Sequence, residues 1–196
     1  MKQPLRTLVL ALCCGLAAAC TQRPEHLKLM SYNIRNGIGI DNIQDIGRIA
    51  RVILREAPDL VALQELDSAT LRVDGRYIPG ELGRMTGMHA TFGRAIGFAG
   101  GSYGVGLLSR TEPLAVRSTP LPGREEARVL LMAEFPDYTV CVTHLSLTPE
   151  DRHASLPLIL QATDTCRKPV LLAGDFNEPS HLDWTCLLYT SDAADD

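Results

Sequence analysis

Val170-Leu171-Leu172-Ala173-Gly174-Asp175-Phe176-Asn177 is the stretch from which the rest of the chain can be read. An apolar run passes through a glycine into a carboxylate and a carboxamide two positions apart. The run predicts a buried strand, and its end puts Asp175 and Asn177 on one face, because alternate strand residues share a side. One group holds a proton or a negative charge; the other donates and accepts hydrogen bonds. An Asp-x-Asn turn produces the same letters, so the neighbouring strands must decide. Leu27 to Tyr32 runs into Asn33, Leu60 to Leu63 into Gln64-Glu65, and Val140 to Val142 into Thr143-His144. Four strands ending in Asn, Glu, His and Asp-x-Asn predict the rim of one site.

Between these strands the pattern is α/β. Ile43, Ile46, Ile49, Ala50, Ile53 and Leu54 recur at helical spacing and predict an amphipathic helix over 42–56, capped by Asp41 and ended by Pro58. Residues 67–102 are harder to read. Glu81 to Met85 suggests a short helix, and Gly97, Gly100 and Gly101 suggest a loop. Strands are predicted at 105–109, 128–135 and 139–144, the last two joined by a turn at Pro136-Asp137. Thr148-Pro149-Glu150-Asp151 has the form of a helix start, with a Thr cap, Pro at the first position and acids in the first turn. That helix is predicted to reach about Cys166, with a kink at Pro157. Neither a GxGxxG nor a GxxxxGK[ST] nucleotide fingerprint occurs.

The 196 residues suit one domain, and 45% hydrophobic residues suit a chain with a core. Lys2 and Arg6 precede the apolar stretch Leu8–Leu16, which is too short to span a bilayer. Residues 1–20 therefore read as a signal peptide. Leu16-Ala17-Ala18-Ala19-Cys20 has the form of a bacterial lipobox with Cys20 as the lipidated residue; an ordinary secretory signal cut near Ala19 is the alternative. Residues 21–26 read as a tether, and the expected location is the bacterial cell envelope, lipid-anchored or secreted. Net charge is −4 over the chain; without Lys2 and Arg6, 17 basic residues face 23 acidic ones, a net −6. Such a balance disfavours non-specific nucleic-acid binding, which depends on phosphate neutralisation by Lys and Arg. No cysteine spacing suits zinc, so Cys141 and Cys166 read as small apolar residues.

MSYNIRNG around Asn33, PDLVALQELD around Glu65, VTHL around His144 and LLAGDFNE around Asp175 and Asn177 resemble the endonuclease/exonuclease/phosphatase superfamily. These are the DNase I-like metal-dependent phosphoesterases; the likeness covers residues 27 to about 180, in the family's order. It implies a two-layer β-sandwich flanked by helices. It also implies Mg²⁺ as cofactor, with Mn²⁺ as a substitute, held by Glu65 with Asn33 beside it against metal-bound water or phosphate. His144 is implied to donate to a phosphate oxygen as an imidazolium, favoured by the anionic substrate and the carboxylates. Asp175 is implied to activate water or protonate the leaving oxygen, and Asn177 to bind phosphate oxygens in the transition state. Tyr103 and Arg128 fall where the family often has a Tyr and an Arg around the phosphate. For an isolated His, a half-buried structural role is the plainer reading, and for an Arg that opens a strand, a solvated one.

The function so implied is phosphoester hydrolysis in the envelope. A phosphorylated small molecule or lipid headgroup is the substrate, and the protein is a monomer attached to the membrane by its lipid. A secreted nuclease is the enzymatic alternative, with Arg35, Arg94 and Arg110 scattered rather than clustered; a non-catalytic binding module is the other. The family's closing strands and late Asp–His pair are expected after residue 180, yet Leu187–Asp196 resembles a translated adaptor and His181 lies too near Asp175. The domain over 27–186 is therefore expected to lack its last strands, 187–196 to be non-native, and the chain to be poorly soluble or inactive.

Overall fold

A computed structural model describes residues 26–178. The signal segment with Cys20, nearly all of the tether, His181 and the tail lie outside the described residues. The chain begins with β1 (Leu29–Asn33), α1 (Ile46–Glu56), β2 (Leu60–Ser68), α2 (Ile78–Thr86), β3 (His89–Phe98) and β4 (Gly101–Ser109). It continues through β5 (Ala115–Leu121), β6 (Arg128–Glu134), β7 (Thr139–His144), α3 (Pro149–Thr163) and β8 (Val170–Asp175).

Two four-stranded sheets result, ordered β1-β2-β4-β3 and β5-β6-β7-β8. β1 runs parallel to β2, and β7 parallel to β8. The other pairings are antiparallel. The period-2 alternation of a strand sorts side chains between two faces. Leu60 and Ala62 of β2 face inward with Val105 and Leu107, meeting Leu131, Ala133, Val140 and Val142 of the second sheet. Val61, Leu63 and Leu66 point the other way, onto Ile46, Ile49 and Ile53 of α1 and Ile78 and Leu82 of α2. On the far side Leu130, Met132 and Cys141 receive Ile159 of α3. The central strands are buried on both faces, which is why they read as unbroken apolar runs.

Several expectations are corrected. The first helix starts at Ile46, not residue 42, and its cap is Asp45, whose Oδ1 accepts from the Arg48 amide at 3.1 Å. Asp41 instead closes a turn, accepting from the Ile43 amide, and leaves Ile43 exposed. Thr148 is the N-cap residue of α3, as expected, but its side chain makes no capping hydrogen bond; its hydroxyl donates to Glu125 Oε2 at 3.3 Å. α3 stops at Thr163, with Pro157 inside it. The short second helix extends to Ile78–Thr86, with Pro79 in its first turn and a left-handed Gly87 as cap. The expected glycine loop is a hairpin: Gly97 is in β3, Gly100 turns at φ +79° and Gly101 opens β4. A Cβ on Gly101 would lie 2.4 Å from the Ala69 and Ser68 backbones, so the hairpin needs glycine to approach β2.

Candidate active site

Parallel pairing brings the C-terminal ends of β1 and β2 together in one sheet, and those of β7 and β8 in the other. The registers set Asn33 opposite Gln64 and His144 opposite Asp175. At the rim β2 is irregular between Leu63 and Leu66, and Glu65 adopts φ 57°. A bulge re-aims a side chain, and a non-glycine residue in the left-handed region marks stored strain where a site needs it.

The sheets meet chemically at Asn33. Its Nδ2 donates to Glu65 Oε1 at 2.9 Å and to Asp175 Oδ2 at 3.0 Å, so one carboxamide bridges two carboxylates from different sheets. Its Oδ1 accepts from the Arg35 amide at 3.1 Å. Asn33 thus orients both carboxylates at the rim. Asp175 Oδ1 accepts from the Asn177 amide at 3.0 Å, with Asn177 at φ 51°; the Asp-x-Asn turn and the site are the same structure. Asn177 Nδ2 donates to the Leu145 carbonyl at 2.8 Å, leaving its second proton for another acceptor. Burial alone would raise the Asp175 carboxyl, but the Asn33 and Asn177 donors and the charges of His144 and Arg128 hold it below its ordinary range.

His144 Nε2 lies 3.8 Å from Asp175 Oδ2, beyond hydrogen-bond range. Burial first, and then the Arg128 charge, depress the imidazole, outweighing the pull of Asp175 and Glu65. In either protonation state the ring carries an N–H donor.

Arg128 is not a solvated strand start. Its side chain is 7% exposed, with Nη1 on Glu126 Oε1 at 3.0 Å and Nη2 on Glu125 Oε1 at 3.3 Å. Tyr103, Arg128, His144 and Glu126 line one narrow cleft. Burial raises the Tyr103 hydroxyl well above its ordinary value, helped by the Glu65 and Glu126 charges. Burial also raises the Glu126 carboxyl, with Arg128 opposing and Glu65 reinforcing. An open hollow of about 610 Å³ beside the cleft is lined by Ser31, Asn33, Gln64, Asp175 and Asn177 among others. Two buried donors have no acceptor among the described residues, Arg128 Nε and Gln64 Nε2. Both belong to this rim, and a buried orphan donor costs about 1–3 kcal/mol unless a ligand meets it.

Glu125, Glu126 and Gln64 were not singled out in the sequence as site residues. Gln64 had a readable signal, a polar residue ending an apolar strand. Glu125 and Glu126 sit in a polar loop, and only the fold reveals that they hold Arg128. Of the scattered arginines, Arg110 is committed to Asp59 at 3.0 Å.

The donor set suits a hard divalent cation. Glu65 is half-buried, makes no ion pair among the described residues, and gives Oε1 to Asn33, leaving Oε2 available. Mg²⁺ takes oxygen ligands from one or two carboxylates and keeps several waters. Among the described residues no group of three or more His, Cys, Asp and Glu that could hold a metal ion comes together.

Comparison with known proteins agrees. The Endonuclease/Exonuclease/phosphatase family matches residues 30–195. The chain is similar to an endonuclease/exonuclease/phosphatase from Beutenbergia cavernae, at 27% identity and TM-score 0.63, covering 81% of this chain and 49% of that one. It spans about half the length of that protein. The mannosyl-6-phosphatase of Bacteroides thetaiotaomicron is similar at 18% identity and TM-score 0.64, covering 84% and 71%. D. rerio TDP2, solved with a single-strand DNA product, is similar at 23% identity and TM-score 0.59, covering 79% and 62%. The fold is the DNase I-like α/β sandwich. The chain belongs to the endonuclease/exonuclease/phosphatase family. Membership supports a hydrolase of the phosphoesterase and nuclease type, a family whose enzymes generally use divalent metal ions.

Proposed function

We propose that the protein hydrolyses a phosphoester of a small molecule or lipid headgroup with Mg²⁺ as its cation, at the bacterial cell envelope. The observation that carries this reading is the Asn33 carboxamide, which ties Glu65 and Asp175 from two sheets into one acidic centre. Glu65 would hold the ion, which when bound supplies Lewis-acid stabilisation of charge on the phosphoryl oxygens. The protein groups do the rest. Arg128 Nε, Gln64 Nε2 and the His144 N–H are donors available to phosphoryl oxygens, where fixed donors act most strongly as charge develops. The second Asn177 Nδ2 proton adds another. In the reaction a water oxygen bonds to phosphorus, the bond to the leaving oxygen breaks, the water proton passes to a carboxylate and the leaving oxygen takes a proton. Asp175 is the candidate for that carboxylate.

Cys20 in its lipobox supports an anchored monomer outside the cytoplasm. The net −6 after signal removal makes nucleic acid the less favoured substrate. An assembled rim argues against a binding module that has kept only the fold. The test is hydrolysis of bis(4-nitrophenyl) phosphate with and without Mg²⁺. Glu65→Ala is expected to lower the Mg²⁺-stimulated rate by at least about 100-fold, the scale of losing several kcal/mol of charge stabilisation, with the circular dichroism spectrum retained. An undiminished rate in this variant would sink the assignment.

A further inference from the structure

A second cavity, of about 290 Å³, opens at the other end of the β5–β8 sheet. It lies beside Thr139, where β7 begins, whereas His144 ends that strand. Five strand steps separate the two, roughly 17 Å, so the cavity is distinct from the rim. Its walls carry Arg117, Arg167 and Lys168 against a single carboxylate, Glu134, over an apolar floor that includes Met132.

Glu134 is already engaged, with Oε1 accepting from Lys168 Nζ at 2.7 Å. Arg117 also acts on the Glu134 charge, but its hydrogen bonds go to neutral acceptors only. Its Nε donates to Met132 Sδ at 3.4 Å, and its Nη2 to the Ala162 carbonyl at 3.0 Å and Cys166 Sγ at 3.5 Å. These contacts place the guanidinium at the last turn of α3 and fix its direction, yet supply no counter-charge. Arg167 makes no ion pair among the described residues. Two positive charges are therefore in excess around one cavity, in a chain whose net charge is −4. A scattered solvated face would account for single arginines. It does not account for three cations converging on a concave surface, one of them fixed before any ligand arrives. Preorganised Arg donors suit the tetrahedral oxygens of a phosphate, and convergent polar groups in a concave pocket are a feature of ligand sites.

We propose that this cavity is a second ligand site that takes a small phosphorylated anion, with Arg117 and Arg167 on the phosphate and the Met132 side receiving the organic part. It neither requires nor contributes to the chemistry at Glu65.

Cys166 lines the cavity and is only partly buried, so it reports locally on occupancy. The experiment follows iodoacetamide alkylation of Cys166 by peptide mass spectrometry, with inorganic phosphate or with chloride at equal ionic strength. Phosphate is expected to slow alkylation several-fold and chloride not at all. Arg167→Ser removes a charge that has no structural partner among the described residues and should abolish the protection; Arg117→Met should do the same. Protection by chloride as strong as by phosphate, no protection by either, or full protection retained in Arg167→Ser would each overturn the proposal. Because Cys166 is remote from the rim, loss of hydrolysis in Glu65→Ala leaves this result unaffected.

Discussion

Asn33 shows at the residue scale how much one carboxamide does. Without its two hydrogen bonds, Glu65 and Asp175 would face each other as unshielded like charges, and neither would keep its direction. Asn33→Ala is expected to reduce kcat/KM of phosphodiester hydrolysis by about 100-fold or more, in the range of mispositioned catalytic groups, with less effect on the melting temperature. Equal activity with a lowered melting temperature would make Asn33 purely structural. Glu125 works at a distance from the chemistry. Burial would raise its carboxyl, but the Ser146 hydroxyl, the Leu147 amide and Arg128 outweigh burial and bring it down to about 2 from 4.5. A carboxyl with a depressed folded-state pKa binds fewer protons when folded. Its stabilisation is complete above pH 4.5 and is lost as the pH falls toward about 2. Glu125→Gln should therefore flatten the acid limb of the stability curve in that window, read by denaturant midpoints at successive pH values. An unchanged acid limb would remove Glu125 from the account.

At the scale of elements, strand ends and helix starts are separate problems. The site strands were legible because apolar runs end abruptly in Asn, Glu, His or Asp, although only β2 and β7 are buried on both faces while β1 and β8, expected as buried, are only partly so, and β6, β7 and β8 lie close to where the pattern placed them. β3 and β5 were not foreseen. β5 is an edge strand, exposed over most of its length and containing Pro120, so burial leaves no alternation to read. β3 carries Gly97, which the sequence presents as a loop residue, and Gly93, where Leu131 of the other sheet packs close. The start of α1 was misplaced because Asp41 and Asp45 are both good caps, and only the fold shows which amide each meets. Asp45→Ala should cost about 1 kcal/mol by denaturant unfolding, and Asp41→Ala less than that. The opposite ranking would restore the earlier helix start. The bulge at Glu65 was also invisible in the sequence, since no glycine marks its left-handed conformation.

The whole molecule places the rim by stacking two sheets whose parallel pairs end on the same side. Leu131, fully buried between the sheets, is central to that stacking. Leu131→Ala is expected to destabilise by about 2–5 kcal/mol; a loss below about 1 kcal/mol would mean the sheets are held by other contacts. Cys20→Ser should abolish labelled fatty-acid incorporation, and incorporation that persists would rule out the lipobox. That the strand ends carrying Asn33, Glu65, His144 and Asp175 come together at one rim was legible in the sequence. Their partners were not: the bridging Asn33 arises from contacts between segments distant in sequence, and the carboxylates that clamp Arg128 lie in the polar loop just before it, which carries no site signal. The central claim is that Glu65 and Asp175 bound one cation site. It is tested most directly by the anomalous scattering of a crystal soaked in Mn²⁺ standing in for Mg²⁺. The account predicts a peak within coordinating distance of the Glu65 carboxylate, on the side of Asp175. A fully occupied peak elsewhere on the protein, with none at Glu65, would contradict it.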